Sequence, residues 1–169
     1  IELAISEKGS ELLGGNAEAE FTYRLANSEE LKWLETISQN ISGIIEFRSM
    51  AKFVEGGANE RALTQVKAVD NKYPLIGNVQ LASGNSFKDV FRQPKSAVME
   101  TDLASRLGIN IGETFSLGLT QFVLRDIIQS SPDDAGTNFG FGPRTIIKSE
   151  DLLDSGLIAP GTLFTAKYR

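Results

Sequence analysis

Residues 98–119, VMETDLASRLGINIGETFSLGL, leave room for little besides a strand, a very short helix, a tight turn and a second strand. Ala97, Val98 and Met99 form an apolar run that leads into Thr101 or Asp102, and either side chain suits an N-cap because it can accept the first free helix N–H groups. Gly108 follows one and a half turns later and supplies the left-handed residue that ends a helix. Gly112 to Thr114 then turn the chain into an alternating strand carrying Phe115, Leu117 and Leu119. No polar constellation sits in the stretch, so it reads as scaffold.

The rest of the chain gives a coarse order of the same kind. Residues 17–25 suit a strand, and Asn27 with Glu30 forms a capping box for a helix that presents Leu31, Leu34 and Ile37 on one face. Trp33 lies beside that face and is expected to be partly buried. Residues 43–55 and 61–70 read as a long hairpin around Gly56-Gly57, which Tyr73-Pro74 breaks because proline cannot donate to a central ladder. Residues 75–82 follow as a strand, 87–94 as a polar loop, 121–130 as a strand and 131–142 as a Gly/Asp/Asn-rich loop. The last quarter repeats the first: a strand over 143–149, Ser149 as N-cap with Glu150 and Asp151 in the favourable first turn, Gly156 as the stop, and a strand over 162–168. Strand-helix-strand at both ends with a β-rich stretch between them predicts an α+β fold, a split βαβ lobe carrying an inserted β-rich lobe.

Composition excludes whole classes of function. Histidine and cysteine are absent, which removes Ser-His-Asp and Cys-His catalysis, disulfides and nearly every zinc site. Seventeen basic against 22 acidic residues give a net charge of −5 with no Lys/Arg block, so nucleic acid is not an expected partner. No apolar run approaches the length of a membrane span and no signal peptide is visible. The chain starts and stops in mid-pattern, with Ile1, Ile5, Leu12 and Leu13 at roughly helical spacing, and it reads as a segment of something longer.

Four stretches together carry a resemblance: ELLGG at 11–15, QVKAVDNKYPLIGNVQL at 65–81, the strand-helix-Gly-Glu unit at 97–117, and FGPRTIIKSEDLLDSGLIAPGT at 141–162. In this order and spacing they resemble the periplasmic core domain of MacB/FtsX-type ABC transporter permeases, in its YbbP-like branch. The resemblance implies a porter-like, ferredoxin-like βαβ lobe with an inserted lobe. Residues 1–15 would be a membrane-proximal helix tail, 16–70 plus 143–169 the porter-like lobe, and 71–142 the insert. It implies a place on the periplasmic side of the bacterial inner membrane, between flanking transmembrane helices and beside a sister periplasmic domain. It further implies a cytoplasmic ATPase subunit, lipid-like, lipoprotein or protein cargo, and association with a periplasmic thioesterase/lysophospholipase. No cofactor and no catalysis by this domain are expected.

Candidate chemistry is sparse. Glu100, Asp102 and Glu113 lie close in sequence, but Asp102 is better placed as a helix cap and Glu113 as a turn residue than as members of a carboxylate pair. Asp133, Asp134 and Asn138 lack the repeated spacing of a calcium loop, and Gly136, Gly140 and Gly142 lack the helix and Lys-Ser/Thr of a phosphate cradle. The residues singled out are Phe139 and Phe141, two aromatics in a Gly-rich loop suited to a partner or to a lid, and Arg144, which would brace that loop or touch the sister domain. The alternative to a permease domain is a free-standing β-barrel-type binding domain, since LGINIGETFSL also suits a barrel turn. A hydrolase working with Asp/Glu alone has no positive sign in the sequence.

Overall fold

The two longest alternating segments pair with each other. β2 (Gly43–Glu55) and β3 (Ala58–Val69) run antiparallel in unbroken register from Ile44↔Val69 to Glu55↔Ala58. In the computed structural model, which describes residues 15–55, 58–132, 142–152, 155–158 and 161–169, seven further strands join them in one sheet. These are β1 (Ala19–Thr22), β4 (Gln80–Leu81), β5 (Ser96–Glu100), β6 (Thr114–Leu117), β7 (Thr120–Ser130), β8 (Arg144–Lys148) and β9 (Phe164–Tyr168). Among the described residues, three helices, α1 (Ser28–Ile37), α2 (Phe87–Val90) and α3 (Thr101–Leu107), and a 3-10 turn at Ser149–Leu152 accompany them in a mixed α/β fold of few helices and many strands.

Six of the strands close on themselves. β3 pairs parallel with β8, β8 antiparallel with β5, β5 parallel with β7, β7 antiparallel with β6, and β6 returns to β2 through Ala51↔Leu117 and Lys52↔Ser116. The ring is a small barrel. All six strands send apolar side chains into one cluster that includes Phe47, Ala51, Val66, Met99, Phe115, Leu117, Phe122, Leu124 and Ile147. Barrels of this size are filled by side chains and leave no channel. α3 leaves the end of β5 and adds Leu103 and Leu107 to the same cluster, stoppering that end. On the outer face Ile44, Val69, Val98, Ile128 and Ile146 form a second cluster, covered by Tyr73, Val79, Leu81, Phe87 and Phe91.

The closure joins the segments expected as two lobes in one sheet. β1 and β2 do lie parallel on either side of β9, joined by α1. The strands between residues 71 and 142, however, are built into the same sheet through β5–β8 and β6–β2. The reason is burial: β2, β3 and β8 each carry apolar residues on both faces, so the outer strands alone could not cover them. The segment expected as a polar loop over 87–94 holds α2, whose Phe87 is buried, as is Phe91 just after it.

Local signals fare unevenly. Asn27 caps α1 by accepting from the N–H of Glu29 and Glu30, while Glu30 accepts from the Asn27 N–H, so the capping box is complete. Gly108 ends α3 with φ 68. The N-cap of α3 is Glu100, not Thr101 or Asp102, and it makes no side-chain cap bond because its carboxylate is engaged elsewhere. Ser149 starts a short 3-10 turn instead of capping an α-helix. Trp33 is 59% exposed, since α1 buries only Leu34.

Arg24 reaches Glu30 with both guanidinium nitrogens, at 2.7 and 2.8 Å. That hydrogen bond, then the Asn27 N–H, lowers the Glu30 carboxyl from 4.5 to about 2. A depressed carboxylate contributes stability above its unfolded value and loses it as pH falls through its folded value. Amide exchange in the first turn of α1, taken relative to the intrinsic rate at each pH, is therefore expected to accelerate between pH 4.5 and about 2. Glu30→Gln should abolish that acceleration. The pair is exposed, so salt should weaken the effect.

Candidate functional site

Loop 131–142 connects β7 to β8, and its two ends are firmly held. At the first, Ser131 is buried and shares a hydrogen bond with the Tyr73 hydroxyl at 3.1 Å. Pro132 packs so closely on Gly77 (φ +79) that a Cβ there would sit 2.6 Å from the Pro132 Cβ. At the second, the Pro143 carbonyl accepts from Thr64 Oγ1 at 2.8 Å and from the Gln65 N–H at 3.0 Å. Thr64 also meets Thr145 Oγ1 at 2.9 Å.

Arg144 opens β8 at this second anchor. Its Nε and Nη2 donate to Glu100 Oε1 at 2.7 and 2.6 Å, and its backbone N–H donates to Glu100 Oε2 at 3.2 Å. Only 11% of the Arg144 side chain is exposed. The guanidinium thus ties the start of β8 to the end of β5, where α3 begins, through charge-assisted bonds stronger than neutral ones. Phe139 and Phe141 lie outside the described residues, so Arg144 is the member of the predicted trio whose surroundings are defined.

Other buried polar groups bind the scaffold to itself. Glu46 on β2 lies between Lys67 of β3 (Nζ to Oε1, 3.6 Å) and Lys167 of β9 (Nζ to Oε2, 2.9 Å). Burial works to lower the Lys167 pKa, but the Glu46 charge and hydrogen bond outweigh it and raise the group above its ordinary value. Asp126, fully buried on β7, accepts from Ser83 Oγ, from the Ser83 N–H at 3.3 Å and from the Ile127 N–H at 2.8 Å. Neither carboxylate was singled out from sequence. The only available signal was a charged residue inside an otherwise apolar alternating strand. Among the described residues no three His, Cys, Asp or Glu converge as metal ligands, and no helix is long and apolar enough to cross a membrane.

A family model described as the MacB-like periplasmic core domain matches residues 4–167. The chain belongs to that family. It is 25% identical over 172 residues to the ABC transporter permease YbbP of Escherichia coli (strain K12), an alignment that takes in all of this chain and 20% of the relative. The chain thus spans about a fifth of that relative's length. Among solved structures, the extracellular domain of the ABC-type transporter YknZ from Gram-positive bacteria superposes with a TM-score of 0.58 at 11% identity, covering 89% of this chain and 73% of that one. The periplasmic region of MacB from Actinobacillus actinomycetemcomitans gives 0.54 at 12% identity, covering 96% and 78%. These likenesses concern the fold. The chain is thus a MacB-like periplasmic core domain.

Proposed function

We propose that this domain passes ATP-driven motion of its permease to lipid-like, lipoprotein or protein cargo by contact alone. The motion would arrive through flanking transmembrane helices, powered by ATP hydrolysis in a separate cytoplasmic subunit. A sister periplasmic domain would be its neighbour, and a periplasmic thioesterase/lysophospholipase is a proposed associated partner.

One observation supports this reading above others: the first and last described residues, Gly15 and Arg169, lie side by side on the sheet that forms the barrel. Gly15 lies against Arg169 so closely that a Cβ would sit 3.0 Å from the Arg169 Cβ, and Arg169 Nε meets Glu18 Oε2 at 2.5 Å. Ser42 and Arg169 exchange both backbone hydrogen bonds, at 2.9 and 3.0 Å. Neighbouring positions for these two residues suit a module mounted on one membrane face, and a cross-braced barrel suits transmission of force without internal deformation. In this reading residues 16–70 with 143–169 form the mounted porter-like part and 71–142 the part that faces cargo.

The loop between Ser131 and Gly142 is the proposed point of contact, with Arg144 holding its base. Burying each phenylalanine would return about 1.5–3 kcal/mol, which offsets the ordering of only two or three residues at about 1–2 kcal/mol each. Phe139 and Phe141 are therefore assigned to a partner, and not to the core. Replacing both by Ser in the intact permease should leave the thermal midpoint of the domain nearly unchanged and impair transport or complex assembly. A large fall in the midpoint would assign both rings to the core and remove the loop from the contact surface.

A further inference from the structure

We propose that a pocket on the outer wall of the barrel, between the end of β3, the end of β8 and α2, binds a small amphiphile with an apolar tail and an anionic head. The pocket is open, with a volume of about 220 Å³. Its floor is Val69, Tyr73, Phe87 and Phe91, all buried. The rings brace one another, with centroids 5.9 Å apart for Tyr73–Phe87 and 4.7 Å for Phe87–Phe91. The floor is therefore already formed, and little ordering opposes binding of an apolar group against it.

The rim supplies the head-group preference. Lys88, Arg92 and Lys148 line the pocket, and Asp70 is the one acidic residue among its lining groups. Asp70 is already saturated: Oδ1 accepts from Ser42 Oγ, Lys72 N–H and Tyr73 N–H at 2.8, 2.9 and 3.1 Å, and Oδ2 accepts from the Gly43 N–H at 2.6 Å. Arg92 is paired with Asp89 at 2.7 Å. Lys88 and Lys148 have no ion pair among the described residues, so two ammonium groups against the single negative charge of Asp70 stand at the edge of an aromatic floor. An inorganic anion would use only the lysines and an alcohol only the floor. A carboxylate or phosphate carrying an alkyl chain uses both. The site meets loop 131–142 at its anchored first residue, through the Tyr73–Ser131 hydrogen bond, but does not depend on what the permease transports, so either reading can fail without the other.

The test titrates the 169-residue domain with n-octyl phosphate, octanoate, octanol and inorganic phosphate, following amide shifts by NMR. The two amphiphilic anions should bind with shifts centred on Val69, α2 and Lys148, and octanol and phosphate should each bind at least about tenfold more weakly. In the double variant Lys88→Glu/Lys148→Glu, affinity for octyl phosphate should fall by about tenfold or more, while its circular dichroism spectrum stays that of the parent. Octanol binding as tightly as octyl phosphate would overturn the proposal. So would unchanged affinity in the double variant, or shifts that map to another face.

Discussion

Glu46→Ala is expected to destabilise the domain by about 3–5 kcal/mol, because removing one partner of a buried ionic group leaves an uncompensated charge. Here the removed carboxylate serves two ammonium groups. The side chains of Glu46, Lys67 and Lys167 are only 8, 3 and 14% exposed. Lys67 and Glu46 are direct cross-strand partners, and Lys167 reaches in from β9, so the variant removes the carboxylate shared by two ammonium groups on the strands either side of β2. Lys67 also faces the Tyr73 ring at 5.8 Å, a contact too weak to replace an ion pair. Replacing Glu46, Lys67 and Lys167 together by leucine and methionine should be close to neutral, since the desolvation cost disappears with the charges. Urea denaturation of the parent, the single variant and the triple variant measures both effects. A loss below about 1 kcal/mol for Glu46→Ala would show that the lysines stay hydrated and behave as surface charges.

Phe122→Ala should cost a comparable amount, about 3–5 kcal/mol, for a different reason. Phe122 is fully buried in the barrel interior. It is the cross-strand partner of Phe115, with ring centroids 6.3 Å apart. Truncation removes the transfer free energy of the ring and leaves a cavity that a closed ring of strands has little freedom to collapse. Phe122→Leu keeps much of the volume and should cost considerably less. Equal losses for the two variants would mean that the interior is not packed around this ring. Against a typical total stability of about 5–15 kcal/mol, either large loss threatens folding at physiological temperature.

How much of this was legible in the sequence depended on the range of the interaction. Signals confined to a few residues held: the Asn27–Glu30 capping box, Gly108 as the left-handed stop, and β2 over residues 43–55. Period-two alternation placed β6 and β7. Barrel closure was not legible, because the β6–β2 contact rests on two residue pairs and no local pattern records which distant strand a short strand will meet. α2 was missed since four residues carry no helical periodicity, and Lys88, Asp89 and Arg92 made the stretch look polar while Phe87 and Phe91 turned inward. Glu100 had no role of its own in the sequence. Its role as the partner of Arg144 required β5 and β8 to be neighbours, which is information held by the sheet and not by either strand. Trp33 was expected to be partly buried from its nearness to an apolar helix face, but Leu34 alone does the packing and leaves Trp33 and Ile37 at the surface.

The central claim, a rigid barrel that moves as a body under ATP, is tested most directly by distances between spin labels in the intact permease reconstituted with its ATPase. Trp33 and Leu119 are exposed, and neither packs in either core cluster, so cysteine at these positions can carry labels without disturbing the fold. The distance between the two labels should be the same with and without ATP. The distance from the Leu119 label to one on the sister periplasmic domain should change on ATP binding and return after hydrolysis. An inter-domain distance that stays fixed through the cycle while transport proceeds would contradict the account, as would a Trp33–Leu119 distance that changes with nucleotide.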